Sequence, residues 1–197
     1  MLIALLKTMR PRQWTKNAFV MAAVVFDRQL TNPLALFRSV LGLAAFCLLS
    51  GAVYIINDIL DVEADRIHPH KKKRPIASGT LPVPLAIAAV AVILLVTLPV
   101  AYWLSPLFAA ISLAYFLINL LYSKWLKHLP LIDVLIIAAG FVLRVAGGVS
   151  LVVVERFSPW LYVVTTLLAL YLGFGKRRAE LMLLTEDANN HRPVLDG

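Results

Sequence analysis

The sequence predicts an all-α protein, a polytopic bundle of membrane-spanning helices. Three observations carry that expectation. The 197 residues are 60% apolar and only 15% charged, with a mean hydropathy of +0.82, whereas soluble domains sit nearer half apolar and a quarter charged. The apolar residues gather into six runs. The cations collect at alternate gaps between those runs, the bias that orients membrane proteins.

In chain order the runs are Asn17–Phe26, Leu34–Ile59, Val83–Leu104, Pro106–Tyr122, Leu131–Val154 and Pro159–Gly175. A spanning α-helix needs about 20 residues, so the first and fourth are short. Chain breakers fall between runs, at Thr31-Asn32-Pro33, His68-Pro69, Leu81-Pro82, Ser105-Pro106, Leu129-Pro130 and Ser158-Pro159. Pro99 lies inside the third run and is expected to kink it. The chain divides into a basic segment 1–16, a bundle 17–175 with a polar loop 61–82, and a polar loop or tail 176–197.

Loop charge sets the orientation. Lys7, Arg10, Arg12 and Lys16 precede the first run. Arg66 and Lys71 to Arg74 follow the second, Lys124 and Lys127 the fourth, and Lys176, Arg177, Arg178 and Arg192 the sixth. The alternate gaps carry only Arg28 and Arg156. Both termini are therefore expected on the cytoplasmic side of the cell (inner) membrane. The N-terminus has a short apolar start followed by cations, the reverse of a secretory signal. The net charge of +8 would raise nucleic acid as a partner in a soluble protein. Here orientation accounts for most cations, and anionic headgroups or phosphorylated substrates for the rest, so nucleic acid is not expected. The single cysteine, Cys47, excludes an internal disulfide and a thiol metal cluster.

The stretch Asn57 to Gly79 is the candidate site. If the second helix continues through Asp65, then Asn57, Asp61 and Asp65 step round by about 40° each. Asp58 and Tyr54 fall within the same arc, and Glu63 points away. Carboxylates that close repel unless something positive sits between them. Asp and Asn oxygens suit hard cations, and Mg²⁺ is commonly held by one or two carboxylates together with substrate phosphates. A Mg²⁺–diphosphate site therefore fits Asn57, Asp58, Asp61 and Asp65, against the plainer reading of a solvated helix end. Lys71 to Lys73 read as orientation and lipid anchoring. Arg74, followed by Pro75 and Gly79, could be held over the acids to bind phosphate.

Other cations and polar groups are weaker candidates. Arg10, Arg12 and Lys16 could bind phosphate near the first run, with Trp14 at headgroup level. Tyr122, Lys127 and Asp133 would lie at the level of the aspartates, where the phenol and the ammonium could grip phosphate oxygens; the plainer reading is an interfacial Tyr and Trp with flanking lysines. Arg144 falls about 16 Å along the helix from Asp133. A membrane arginine at such mid-depth faces a bundle interior or polar cavity. It could contact ligand, or it could be structural, and Gly140, Gly147 and Gly148 nearby point to close helix packing. Lys176 and Arg177 could neutralise a phosphate if their helix end closes over the same cavity; otherwise Lys176 pairs with Glu180 on the surface.

Taken together, these motifs resemble the UbiA-type intramembrane prenyltransferase superfamily. "NDILDVEAD" matches its Asn-xxx-Asp-xxx-Asp motif at Asn57, Asp61 and Asp65. "RPRQWTKN", "KKKRPIASG" and "LIDVLIIAAGFVLRVAGG" look like the decaprenyl-phosphate phosphoribosyltransferase branch. The second Asp-xxx-Asp motif of aromatic prenyltransferases has Lys176 and Glu180 in roughly its place here, which agrees with that branch. The resemblance implies a phosphoribosyl diphosphate donor, a polyprenyl (decaprenyl) phosphate acceptor, Mg²⁺ as cofactor and 61–82 as the catalytic loop. It implies Asp58, Asp61 and Asp65 as catalytic residues. It also places Lys16, Arg74, Lys127 and Lys176 on the substrates' phosphates. The family has about nine membrane helices and six are counted here, so an N-terminal fragment or truncated product is expected. Two other readings stand beside it: prenyl transfer to an aromatic or other acceptor, and an inactive membrane remnant or carrier.

Overall fold

The computed structural model describes residues 1–124, 132–154 and 159–190, and among these all regular structure is helical. A short helix α1 (Leu2–Thr8) leads into a 3₁₀ helix over Pro11–Met21 and a short α2 (Ala22–Phe26). Then come α3 (Pro33–Leu60), α4 (Val62–Ile67), a 3₁₀ turn at Lys71–Lys73, α5 (Val83–Leu104) and α6 (Pro106–Lys124). Last are α7 (Ile132–Val149) and α8 (Pro159–Asn190).

The breakers among the described residues act where expected, and Leu129-Pro130 lies outside them. Asn32 caps α3 by accepting from the backbone of Leu34 at 3.1 Å and Ala35 at 3.3 Å, with Pro33 in the first turn. Ser105 separates α5 from α6, and α5 runs through Pro99 without interruption. Two expectations are corrected. The apolar run Asn17–Phe26 is not one α-helix: its first half, to Met21, is 3₁₀ and its second half, from Ala22, is α. At about 2 Å of rise per residue, the 3₁₀ half covers more membrane depth per residue than an α-helix would. The helix after Pro159 does not stop at Gly175 but continues to Asn190, into the polar segment.

Among the described residues three helices, α3, α5 and α6, are long and apolar enough to cross a membrane. Of α3's most apolar stretch 56% is buried, against 17% for α5. So α3 is the core helix, and α5 turns Leu95, Tyr102 and Trp103 outward. Trp103, at the end of α5, and Trp160, at the start of α8, are both exposed, which suits tryptophans of an interfacial belt. The core centres on Phe46, Phe108 and Tyr115, with ring centroids 5.7 and 5.3 Å from Phe46.

Close approach is decided by glycine. A Cβ on Gly148 would lie 2.0 Å from the backbone oxygen of Val20, whereas one on Gly140 would meet side chains alone, Arg144 at 3.2 Å and Tyr115 at 3.8 Å. Gly148→Ala is thus expected to cost at least about 1–3 kcal/mol, and Gly140→Ala less. Thermal unfolding of the two variants in detergent checks that order; equal stability would show that the backbone at Val20 yields.

Candidate active site at the polar end of the bundle

The acids sit at a bend. Helix α3 ends at Leu60, and Asp61 takes φ −93°, ψ 6° before α4 begins. The single helix expected through Asp65 is therefore interrupted, although i→i−4 bonding persists: Asp61 N–H donates to Asn57 at 3.0 Å and Asp65 N–H to Asp61 at 2.8 Å. Asp58 and Asp65 are seven residues apart, nearly two full turns, and both point inward. Their side chains are 3% and 2% exposed. Asn57 and Asp61 are half-buried. Glu63 points outward, as expected, and pairs with Arg66 at 2.8 Å on the surface.

Two arginines cover the inward acids. Arg74 Nη1 donates to Asp65 Oδ2 at 2.7 Å and to Asp58 Oδ1 at 3.2 Å. The loop behind it is pinned by Ile76 and Leu81, both buried, and by Leu81 N–H donating to Pro75 at 2.9 Å. Gly79, at φ 77°, supplies the left-handed turn. Lys71 to Lys73 stay exposed, so the acids hold one member of the basic block and the lysines face water. The second arginine is Arg10. Its Nη2 donates to the same Asp58 Oδ1 at 2.7 Å, and its guanidinium lies 4.7 Å from the Tyr54 ring centre. Its backbone is left-handed, φ 54°, ψ 64°, a conformation that costs a non-glycine residue on the order of 1 kcal/mol. The sequence shows Arg10 only as one of several N-terminal cations. Nothing local marks it as the one that reaches Asp58, 48 residues on.

This donor set suits a hard divalent cation in its chemistry, since Asn57, Asp58, Asp61 and Asp65 offer oxygen alone. Among the described residues, however, no three His, Cys, Asp or Glu side chains gather as a metal cage. An ion here would draw further oxygens from a phosphorylated ligand, the usual arrangement for Mg²⁺.

The other candidates separate from this cluster. Arg144 is a mid-bundle tie: Nε donates to Asn17 Oδ1 at 2.8 Å, Nη1 to the Gly140 carbonyl at 2.7 Å and Nη2 to the Tyr115 hydroxyl at 2.9 Å. Asn17 passes the link to Ser50 of α3 at 3.0 Å. Each of these contacts is structural, the second of the two readings open to Arg144. Lys16 edges a groove of about 330 Å³ shared with Thr15, Phe19, Phe141, Thr165 and Leu172. Tyr122 is half-buried at the end of α6. Lys127 and the side chains of Asp133, Lys176, Arg177 and Glu180 lie outside the described residues.

Fold and site together define an integral membrane protein with an arginine-covered acidic cluster at one end of an apolar helix bundle. The chain belongs to the UbiA prenyltransferase family, whose sequence model matches residues 18–193. It is 35% identical to the decaprenyl-phosphate phosphoribosyltransferase of Mycolicibacterium smegmatis, over 98% of this chain and 61% of that one. It is 34% identical to the Corynebacterium glutamicum protein of the same name, over 91% and 55%. The structure of a UbiA homolog from Archaeoglobus fulgidus bound to DMAPP and Mg²⁺ superposes with a TM-score of 0.71 at 26% identity, covering 84% of this chain and 60% of that one. The chain thus spans about 60% of the length of these relatives.

Proposed function

We propose that the protein transfers 5-phosphoribosyl from phosphoribosyl diphosphate to a polyprenyl (decaprenyl) phosphate, with Mg²⁺, releasing diphosphate. The product would feed assembly of cell-envelope arabinan. The observation that carries this reading is the 35% identity, over nearly the whole chain, to a relative of that name. The arginine-covered aspartates supply chemistry consistent with it. Asn57, Asp58, Asp61 and Asp65 would hold the cation, which neutralises charge building on the departing diphosphate. Arg10 and Arg74 would bind diphosphate oxygens as charge-assisted partners. The lipid phosphate is already anionic, so its attack on ribose C1 needs no strong base. Lys16, at the edge of an apolar groove, would meet a lipid phosphate, and Lys127, Lys176 and Arg177 remain candidates for the same task. The site would face the cytoplasm at the cell membrane, with both termini on that side, because one substrate is aqueous and the other stays in the bilayer.

Labelled phosphoribosyl diphosphate, presented with decaprenyl phosphate and Mg²⁺ in lipid vesicles, should be consumed, and Asp61→Asn should lower turnover by more than about 100-fold. Unchanged turnover in that variant would sink the cation assignment. A second reading, prenyl transfer from a prenyl diphosphate, is favoured by the structural match to homologs bound to DMAPP and to GPP. Consumption of a labelled prenyl diphosphate, and not of the ribosyl donor, would select it.

A further inference from the structure

The four-residue cluster has an outside and an inside. Arg10 and Arg74 keep 34% and 28% of their side-chain surface exposed, while Asp58 and Asp65 keep 3% and 2%. An ion arriving from water therefore meets guanidinium before carboxylate. The formal charges of the four side chains cancel. A bare divalent cation is repelled by the two guanidiniums and must also displace their bonds to the acids. A bare diphosphate attracts the arginines, but it uncovers buried carboxylates, and unpaired buried charge is strongly unfavourable. Arriving together, the two avoid both penalties: guanidinium passes from carboxylate to phosphate, carboxylate passes to the cation, and every charge keeps an opposite neighbour. Arg10 is suited to the exchange, because the Tyr54 ring at 4.7 Å can hold the guanidinium in place after it leaves Asp58.

We propose that Arg10 and Arg74 make this site select a divalent cation presented on a diphosphate over the free cation, by occupying Asp58 and Asp65 until phosphate oxygens draw the guanidiniums off. Arg10 thereby becomes a specificity-determining residue. The inference rests on the function proposed above.

The test is calorimetric titration of the chain in lipid nanodiscs with Mg²⁺ alone, inorganic pyrophosphate alone, and both together. The wild-type chain should bind the pair at least about tenfold more tightly than either component. Arg10→Gln should tighten free Mg²⁺ by about tenfold and weaken the pair by a similar factor. Arg74→Gln should repeat both signs, so the misfolding of one variant leaves the other, and Arg10→Lys should return toward wild type. Opposite signs separate selection from general damage, which weakens both ligands. Free Mg²⁺ binding the wild-type chain as tightly as the pair, or Arg→Gln variants losing both alike, overturns the inference and leaves the proposed function standing. Failure of the wild-type chain to bind the pair at all removes both.

Discussion

Asp58→Ala is expected to abolish Mg²⁺-dependent transfer, by more than about 100-fold, and to destabilise the fold at the same time. Asp58 is touched by both Arg10 and Arg74. Removing one partner of a fully buried pair costs about 3–5 kcal/mol. The arginines stranded here are roughly a third exposed, and water can solvate them, so about 1–2 kcal/mol is expected after that discount. Adding Arg10→Gln should recover part of the loss, which a double-mutant cycle on thermal unfolding would show. Glu63→Gln is the control. Its pair with Arg66 is 2.8 Å long but exposed on both sides, so the change should stay within about 0.5 kcal/mol. Two variants that behaved alike would mean that burial does not decide the strength of these pairs.

Arg144→Leu is the second large effect, and it acts on the bundle and not on the chemistry. The change leaves Asn17 Oδ1 and the Tyr115 hydroxyl buried without their donor. At about 1–3 kcal/mol per unsatisfied group, a loss of about 2–6 kcal/mol is expected. Lysine should rescue little, because a single ammonium cannot replace a planar fork that reaches three partners on different elements. The combination of Arg144→Leu with Asn17→Leu and Tyr115→Phe should be more stable than Arg144→Leu alone, since matched apolar replacement removes the orphaned acceptors. Thermal unfolding in detergent reads all of these. If Arg144→Leu melted like wild type while losing substrate affinity, the arginine would be a ligand contact and the structural assignment would fall.

The helix boundaries were largely legible because their causes are local. Asn32 and Pro33 start α3, Ser105-Pro106 divides α5 from α6, and Pro159 opens α8, each through capping or a missing backbone donor that acts within a few residues. The failures at the ends have local causes too weak to read. Hydropathy cannot distinguish a 3₁₀ from an α-helical apolar run, so it does not show that Asn17–Phe26 passes from one to the other at Ala22. Nor does polarity after Gly175 stop backbone hydrogen bonding, so α8 continues to Asn190. Asp61 carried no breaker signal, and the bend there moves the site's emphasis from the Asn57–Asp61–Asp65 line to the pair Asp58 and Asp65.

The sequence by itself determined that this is a helical membrane protein, where most of its apolar helices lie, and that Asn57 to Gly79 sets a group of acids beside a basic block. Those properties sum over neighbouring residues. Only the tertiary structure decided that Arg74 turns in while Lys71 to Lys73 turn out, that Arg10 joins it on Asp58, and that Arg144 ties Asn17 to Tyr115 within the bundle. Each of those depends on how far one helix is rotated and how closely it approaches another. Glycine contacts such as Gly148 on Val20 set that approach, and they join residues that no local pattern connects.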